Sequence, residues 1–95
     1  MNYSLEFHPS ALQEFRDLDN SVKSVFIKKL EERLVEPRIT SDRLSGELSE
    51  CYKIRVGKTG HRLVYQVDEM SKTLFVIAVG RRADKTVYRS AIKRV

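Results

Sequence analysis

Three runs between residues 51 and 80 leave this chain few options besides an antiparallel sheet. Cys51–Val56 reads CYKIRV, Arg62–Val67 reads RLVYQV and Leu74–Gly80 reads LFVIAVG. The first sets Lys53 and Arg55 alternately among apolar residues, the second is polar only at Arg62 and Gln66, and the third is apolar throughout. Gly57-Lys58-Thr59-Gly60 separates the first pair and Asp68–Lys72 the second, both short and rich in turn formers. Strands joined by so few residues must turn straight back on themselves, so the expectation is an antiparallel meander.

Upstream the periodicity changes. Tyr3, Leu5 and Phe7 alternate with Ser4 and Glu6, which predicts a half-buried strand. His8-Pro9-Ser10 ends it, and Pro9 suits the first turn of a helix, where its missing N–H costs nothing. Leu12, Phe15 and Leu18 predict a short amphipathic helix to about Asp17. Asp19-Asn20-Ser21 breaks it and caps a second helix. There Val22, Phe26, Leu30 and Leu34 recur every fourth residue, with Val25 and Ile27 widening the stripe. Pro37 stops this helix. Residues 38–50 read as a loop, and Thr86–Arg94 as a short terminal helix. The expected fold is α+β, one domain over residues 1–95, with a helical hairpin packed on one face of a mainly antiparallel sheet. A chain of 95 residues buries about two-thirds of its unfolded surface, enough for one core and one shallow site.

Charge is distributed unevenly along this frame. Residues 51–95 hold 11 Lys/Arg against 3 Asp/Glu, whereas residues 1–50 hold 7 against 10. With a sequence pI near 9.6, the second half is suited to an anionic partner, nucleic acid first among them. Cys51 is the only cysteine, so no intrachain disulfide can form. That, and the lack of a signal-like or membrane-length apolar run, leads to the expectation of a cytoplasmic protein without membrane association. His8 and His61 have no ligand spacing, and no metal or other cofactor is expected.

Alternation also sorts the sheet residues by face. Tyr52, Ile54 and Val56, then Leu63, Tyr65 and Val67, then Phe75, Ile77 and Val79 are expected on the helix-covered side. Cys51, Lys53 and Arg55, with Arg62 and Val64, and with Leu74, Val76, Ala78 and Arg82, are expected on the other. Lys53, Arg55, Arg62 and Arg82 would then meet on an open, uncovered face with no acidic residue among them. Like charges that close repel one another unless an anion is to sit between them.

These residues carry a resemblance. Glu36-Pro-Arg-Ile39, Cys51-Tyr-Lys-Ile-Arg55, Gly60-His-Arg-Leu-Val-Tyr-Gln-Val67, Phe75-Val-Ile-Ala-Val-Gly-Arg-Arg82 and Val87-Tyr88 together resemble the RelE toxin family of bacterial toxin–antitoxin systems, over essentially the whole chain. The resemblance implies a microbial-ribonuclease-like fold and a metal-independent, ribosome-dependent messenger-RNA endonuclease. It also implies a RelB-like antitoxin that silences the toxin, which alone would be monomeric and would oligomerise through that antitoxin. Carried over by position, the family's working set falls on Lys53, Arg55, Arg62, Arg82 and Tyr88. Arg55 stands where the best-known members carry Lys, which keeps the charge but gives a poor proton donor or acceptor. His61 stands where an aromatic Tyr precedes the motif Arg, and by alternation it faces away from Arg62.

For mechanism, the resemblance implies that Tyr88 takes the 2′-OH proton, with Lys53 sharing the transfer. Arg62 and Arg82 would hold the scissile phosphate. A free tyrosine is a weak base, and nearby cations would favour its phenolate. So weak a base needs a substrate positioned from outside, which the resemblance assigns to the ribosomal A site. Lys28, Lys29, Lys58, Arg81, Lys85 and Arg89 are the expected contacts to RNA and ribosome. The alternative is a toxin similar to ParE, which poisons DNA gyrase without cutting RNA; its relatives lack the basic-plus-Tyr set. A simple RNA-binding module would carry stacking aromatics on the open face, whereas Tyr52, Tyr65 and Phe75 alternate to the core face. A pure protein-interaction domain remains a reading for the helices and the terminal segment.

Overall fold

A computed structural model describes residues 2–84 and 86–95, with Asp84 described by its backbone alone. Strand β1 (Ser4–Phe7) leads into helices α1 (Pro9–Arg16) and α2 (Asn20–Val35). Strands β2 (Cys51–Val56), β3 (His61–Asp68) and β4 (Thr73–Arg81) follow, and helix α3 (Thr86–Arg94) ends the chain. The helical hairpin, the meander and the terminal helix thus all form where the sequence predicts them. The 38–50 segment is more ordered than a plain loop, with single 3-10 turns at Thr40–Asp42 and Gly46–Leu48.

The sheet order is β1-β4-β3-β2. β1 runs parallel to β4, and the other two pairings are antiparallel. Pro9 takes the first turn of α1, and the His8 imidazole caps it by accepting the Ser10 N–H. In α2 the residues four apart, Val22, Phe26, Leu30 and Leu34, are buried. Val25 and Ile27 do not widen that stripe: they are 37% and 49% exposed, because they lie off the line that faces the sheet.

The faces of β4 correct the sequence expectation. Val64 pairs with Ala78 but Tyr65 pairs with Val76, so Ile77 is an extra residue, a β-bulge. One extra residue reverses the alternation on one side of it. Leu74 and Val76 therefore pack under α1 and α2, and Phe75 and Ile77 face the other way, while Val79 and Ala78 keep their expected sides.

A second correction concerns the open face. It carries Cys51, Val64, Ile77 and Ala78, a patch too apolar to leave in water. α3 lies across it with Val87 and Ala91, and Leu48 closes its margin. The sheet is therefore covered on both sides, with a larger core under the helical hairpin and a smaller one under α3.

Side chains from α2 guard the outer edge of β2. Lys29 Nζ donates to the Arg55 carbonyl at 3.0 Å, and Arg33 Nη1 to that of Lys53 at 3.3 Å. Capping these carbonyls with cations denies the edge to a foreign strand. Arg33 also donates to the Tyr65 hydroxyl (2.9 Å) and to Asp42 (2.5 Å), and Tyr65 donates to the Pro37 carbonyl (2.6 Å). This network ties the 36–43 segment to the sheet.

Candidate functional site

Where the β2–β3 hairpin, the end of β4 and α3 converge, an open cleft of about 740 Å³ forms. The hairpin contributes Gly57, Gly60 and Arg62. The 3-10 turn Arg82–Asp84 contributes Arg82 and Ala83, and α3 contributes Tyr88, Arg89 and Ile92. Gly60 has φ +75°, a left-handed conformation that suits glycine, and its carbonyl accepts the Arg82 N–H at 2.9 Å. That bond holds the turn carrying Arg82 against the hairpin carrying Arg62. The Arg62 guanidinium donates to the His61 carbonyl at 2.9 Å. Tyr88 is half-buried at the margin of the core under α3, with Val87 beside it fully packed.

None of the described lining residues is acidic. Among the described residues, Arg33, Arg38, Lys72 and Arg94 are paired with carboxylates. Lys53, Arg55, Arg62, Arg82 and Arg89 make no such pair with a described residue. Around Tyr88 the described residues thus supply cations without a carboxylate to neutralise them. Three guanidiniums beside an apolar wall can hold a phosphate and an adjoining ring.

Of the working set expected from the sequence, the cleft brings together Arg62, Arg82 and Tyr88. Lys53 and Arg55 lie on β2, on the same face of the sheet but outside the cleft lining. Arg55 stands opposite Arg62 across the strand pair. Of the expected RNA contacts, Arg89 lines the cleft and Lys58 sits at the exposed hairpin tip. Arg81 pairs with His61 on the neighbouring strand. Lys28 and Lys29 belong to α2, on the far side of the sheet, with Lys29 occupied at the β2 edge. Lys85 lies outside the described residues. Sequence reasoning missed Ile92, an apolar residue 40% exposed that stands one helical turn beyond Tyr88. Its i+4 spacing from Tyr88 was the available signal.

His61 is absent from the cleft lining. Its pKa lies below the ordinary imidazole value, through burial first and the Arg81 charge second, with Asp19 opposing. Its Nδ1 sits 2.7 Å from the Thr59 hydroxyl. Burial pushes the Cys51 thiol up to about 11, so it is not a nucleophile at neutral pH. Among the described residues no cluster of His, Cys, Asp or Glu could hold a metal ion, and no helix is long and apolar enough to cross a membrane.

A helical hairpin on a mixed sheet, with an arginine cleft closed by a terminal helix, defines a class. Residues 5–86 match the family model described as the ParE toxin of the type II toxin–antitoxin system parDE. The chain is similar to the mRNA interferase toxin RelE of Escherichia coli K12, at 44% identity over 95 residues, which is 100% of this chain and 99% of that protein. A solved structure of an arginine-to-alanine double mutant of Escherichia coli RelE in the free state superposes with TM-score 0.91 at 43% identity, covering 100% of this chain and 99% of the other. A structure of the same mutant with a peptide of the antitoxin RelB gives TM-score 0.83, again at 43% identity and with the same coverage. The chain belongs to the RelE family of the RelE/ParE toxins.

Proposed function

We propose that this chain is the toxin of a type II toxin–antitoxin pair and that it cuts messenger RNA in the ribosomal A site. The carrying observation is the cleft, where Arg62, Arg82 and Arg89 surround Tyr88 with no carboxylate among the described lining residues. The relatives named as mRNA interferases support the reading, as does the complex of one with a RelB peptide.

In the proposed reaction the 2′-oxygen attacks the adjacent phosphorus, its proton passing to Tyr88 as the phenolate. The bond from phosphorus to the 5′-oxygen breaks, and that oxygen leaves with a proton taken from solvent. A 2′,3′-cyclic phosphate and a 5′-hydroxyl result. Arg62 and Arg82 hold the phosphoryl oxygens and the charge that grows on them in the transition state. Arg55 and Lys53, on the adjoining strand, supply further positive potential to the incoming backbone, and Lys53 shares the proton transfer. Arg89, Lys58 and Arg81 bind flanking RNA; Lys28, Lys29 and Lys85 add to ribosomal attraction at longer range. The site of action is the cytoplasm, where ribosomes and the RelB-like antitoxin are. The toxin alone is monomeric and assembles further through that antitoxin.

The test is cleavage of a defined message by purified protein, with and without programmed ribosomes holding an empty A site. Cuts confined to the A-site codon, requiring ribosomes and reduced to a small residual rate in Tyr88→Phe, are the expected result. No cleavage, with gyrase supercoiling inhibited instead, would move the chain to the ParE-like function.

A further inference from the structure

Helix α3 is too short to hold itself. Nine residues fall below the length at which an isolated helix persists in water. Its fully buried side chains are Val87 and Ala91, two small groups that resist sliding and rotation weakly, with Tyr88 half-buried at their margin. Yet α3 carries Tyr88, Arg89 and Ile92, while the rest of the cleft comes from the sheet and the turn after it. Catalysis by Tyr88 needs the two halves held in one geometry.

The far end of α3 is fastened across the sheet. Arg94 Nη1 and Nη2 donate to Glu14 Oε1 and Oε2, each at 2.9 Å, a bidentate pair. Arg94 Nη1 also donates to the carbonyl of Ile77 at 2.9 Å. Glu14 Oε1 accepts the Val79 N–H at 3.1 Å. These two backbone groups are open for a physical reason. β1 ends at Phe7, opposite Val76, so β4 continues without a neighbour on that side. Glu14 belongs to α1, which packs on the opposite face from α3, so the pair reaches round the sheet edge. Only 16% of the Arg94 side chain and 32% of the Glu14 side chain are exposed. Among the described residues this is the one ion pair that α3 makes.

We infer that Glu14 and Arg94 are positioning residues for the cleavage reaction, a clamp that sets where α3 holds Tyr88 against Arg62 and Arg82. The inference rests on the nuclease reading above. A displacement of about 1 Å at a reacting group can cost on the order of 100-fold in rate. The helix rises 1.5 Å per residue, so Arg94 acts on Tyr88 from about 9 Å along the axis.

The test measures single-turnover cleavage on programmed ribosomes for Arg94→Ala, alone and in a Tyr88→Phe background, together with hydrogen exchange of the α3 amides. Arg94→Ala is expected to lower kcat about 10- to 100-fold while the ribosome KM moves by less than about threefold. In the Tyr88→Phe background the same substitution should cost almost nothing further, because the residue acts through Tyr88. Should Arg94→Ala melt at the assay temperature, Glu14→Gln, which keeps an oxygen for the Val79 N–H, takes its place with the same expectation. A loss confined to KM would make Arg94 an ordinary RNA contact and overturn the clamp. An equal loss in the Tyr88→Phe background, or no loss at all, would also overturn it. If the wild-type protein cuts nothing, the nuclease reading fails, and hydrogen exchange still decides the clamp: unchanged α3 protection in Arg94→Ala overturns it, and lost protection supports it.

Discussion

Arg55 and Arg62 stand directly opposite each other on β2 and β3, on the face that carries the cleft. Side chains so placed have Cβ atoms roughly 5 Å apart, and two like charges there destabilise the sheet. Neither has a carboxylate partner among the described residues. Arg55→Gln is therefore expected to stabilise the fold by about 0.2–1 kcal/mol, read as a higher urea midpoint with an unchanged slope. The gain should shrink in high salt, which screens the repulsion. The same variant should bind programmed ribosomes more weakly, with a shallower salt dependence. A lower midpoint in Arg55→Gln would show that the pair is not under strain.

The Tyr65 hydroxyl is the joint of a buried network. It accepts from Arg33 and donates to the Pro37 carbonyl, while its ring stacks on Tyr52 with centroids 5.7 Å apart. Tyr65→Phe keeps the stack and removes only the oxygen, leaving the Pro37 carbonyl without its donor. A cost of about 1–3 kcal/mol is expected, measured by urea unfolding. Cleavage at a temperature where both proteins are folded should hardly change, since Tyr65 faces away from the cleft. A cleavage defect out of proportion to the stability loss would mean that the 36–43 segment contributes to the site.

How far the sequence carried is plain in β4. The α2 stripe from Val22 to Leu34, the proline-started α1 and the strand limits of β2 were all legible, because each depends on local periodicity or local sterics. The bulge at Ile77 was not. A continuous apolar run such as LFVIAVG has no polar residue to betray its phase, and a bulge is defined by the partner strand. Alternation alone therefore puts Leu74 and Phe75 on each other's faces. The cleft was half legible. Arg62, Arg82 and Tyr88 stood out through the resemblance, and alternation placed Arg62 with Lys53 and Arg55. That α3 would roof the same face, bringing Arg89 and Ile92, depends on Val64, Ile77 and Ala78 needing cover. Glu14 with Arg94 is 80 residues apart in sequence, and no local pattern announces the pair.

Cys51 gives a pH signature. Its folded pKa is about 11 against an ordinary 9.0, chiefly through burial. Between those values the unfolded thiol has lost its proton while the folded one keeps it. The folded state then binds more protons, so this contribution is present below pH 9.0 and lost as pH rises through about 11. Cys51→Ala should flatten the alkaline limb of the stability profile. In the wild-type protein at pH 8, thiol reagents should modify Cys51 only as fast as the α3 side of the sheet opens. Labelling as fast as a free thiol, without unfolding, would contradict the burial.

Ile92 separates cleft chemistry from packing. It is 40% exposed and lies outside both cores, yet it lines the cleft one turn from Tyr88. Ile92→Glu should leave stability within about 0.5 kcal/mol, and a carboxylate three residues after Arg89 can pair with it along the helix. That pairing would neutralise part of the cationic cleft that the RNA backbone needs. Cleavage on programmed ribosomes is expected to fall at least about 10-fold, the scale of one charge-assisted phosphate contact. Val95→Glu is the control, since Val95 is 51% exposed and lies outside the cleft lining. Equal losses in the two variants would assign the effect to net charge. A loss in Ile92→Glu alone, with an unchanged melting temperature, would place the substrate against Ile92 and Tyr88 on α3.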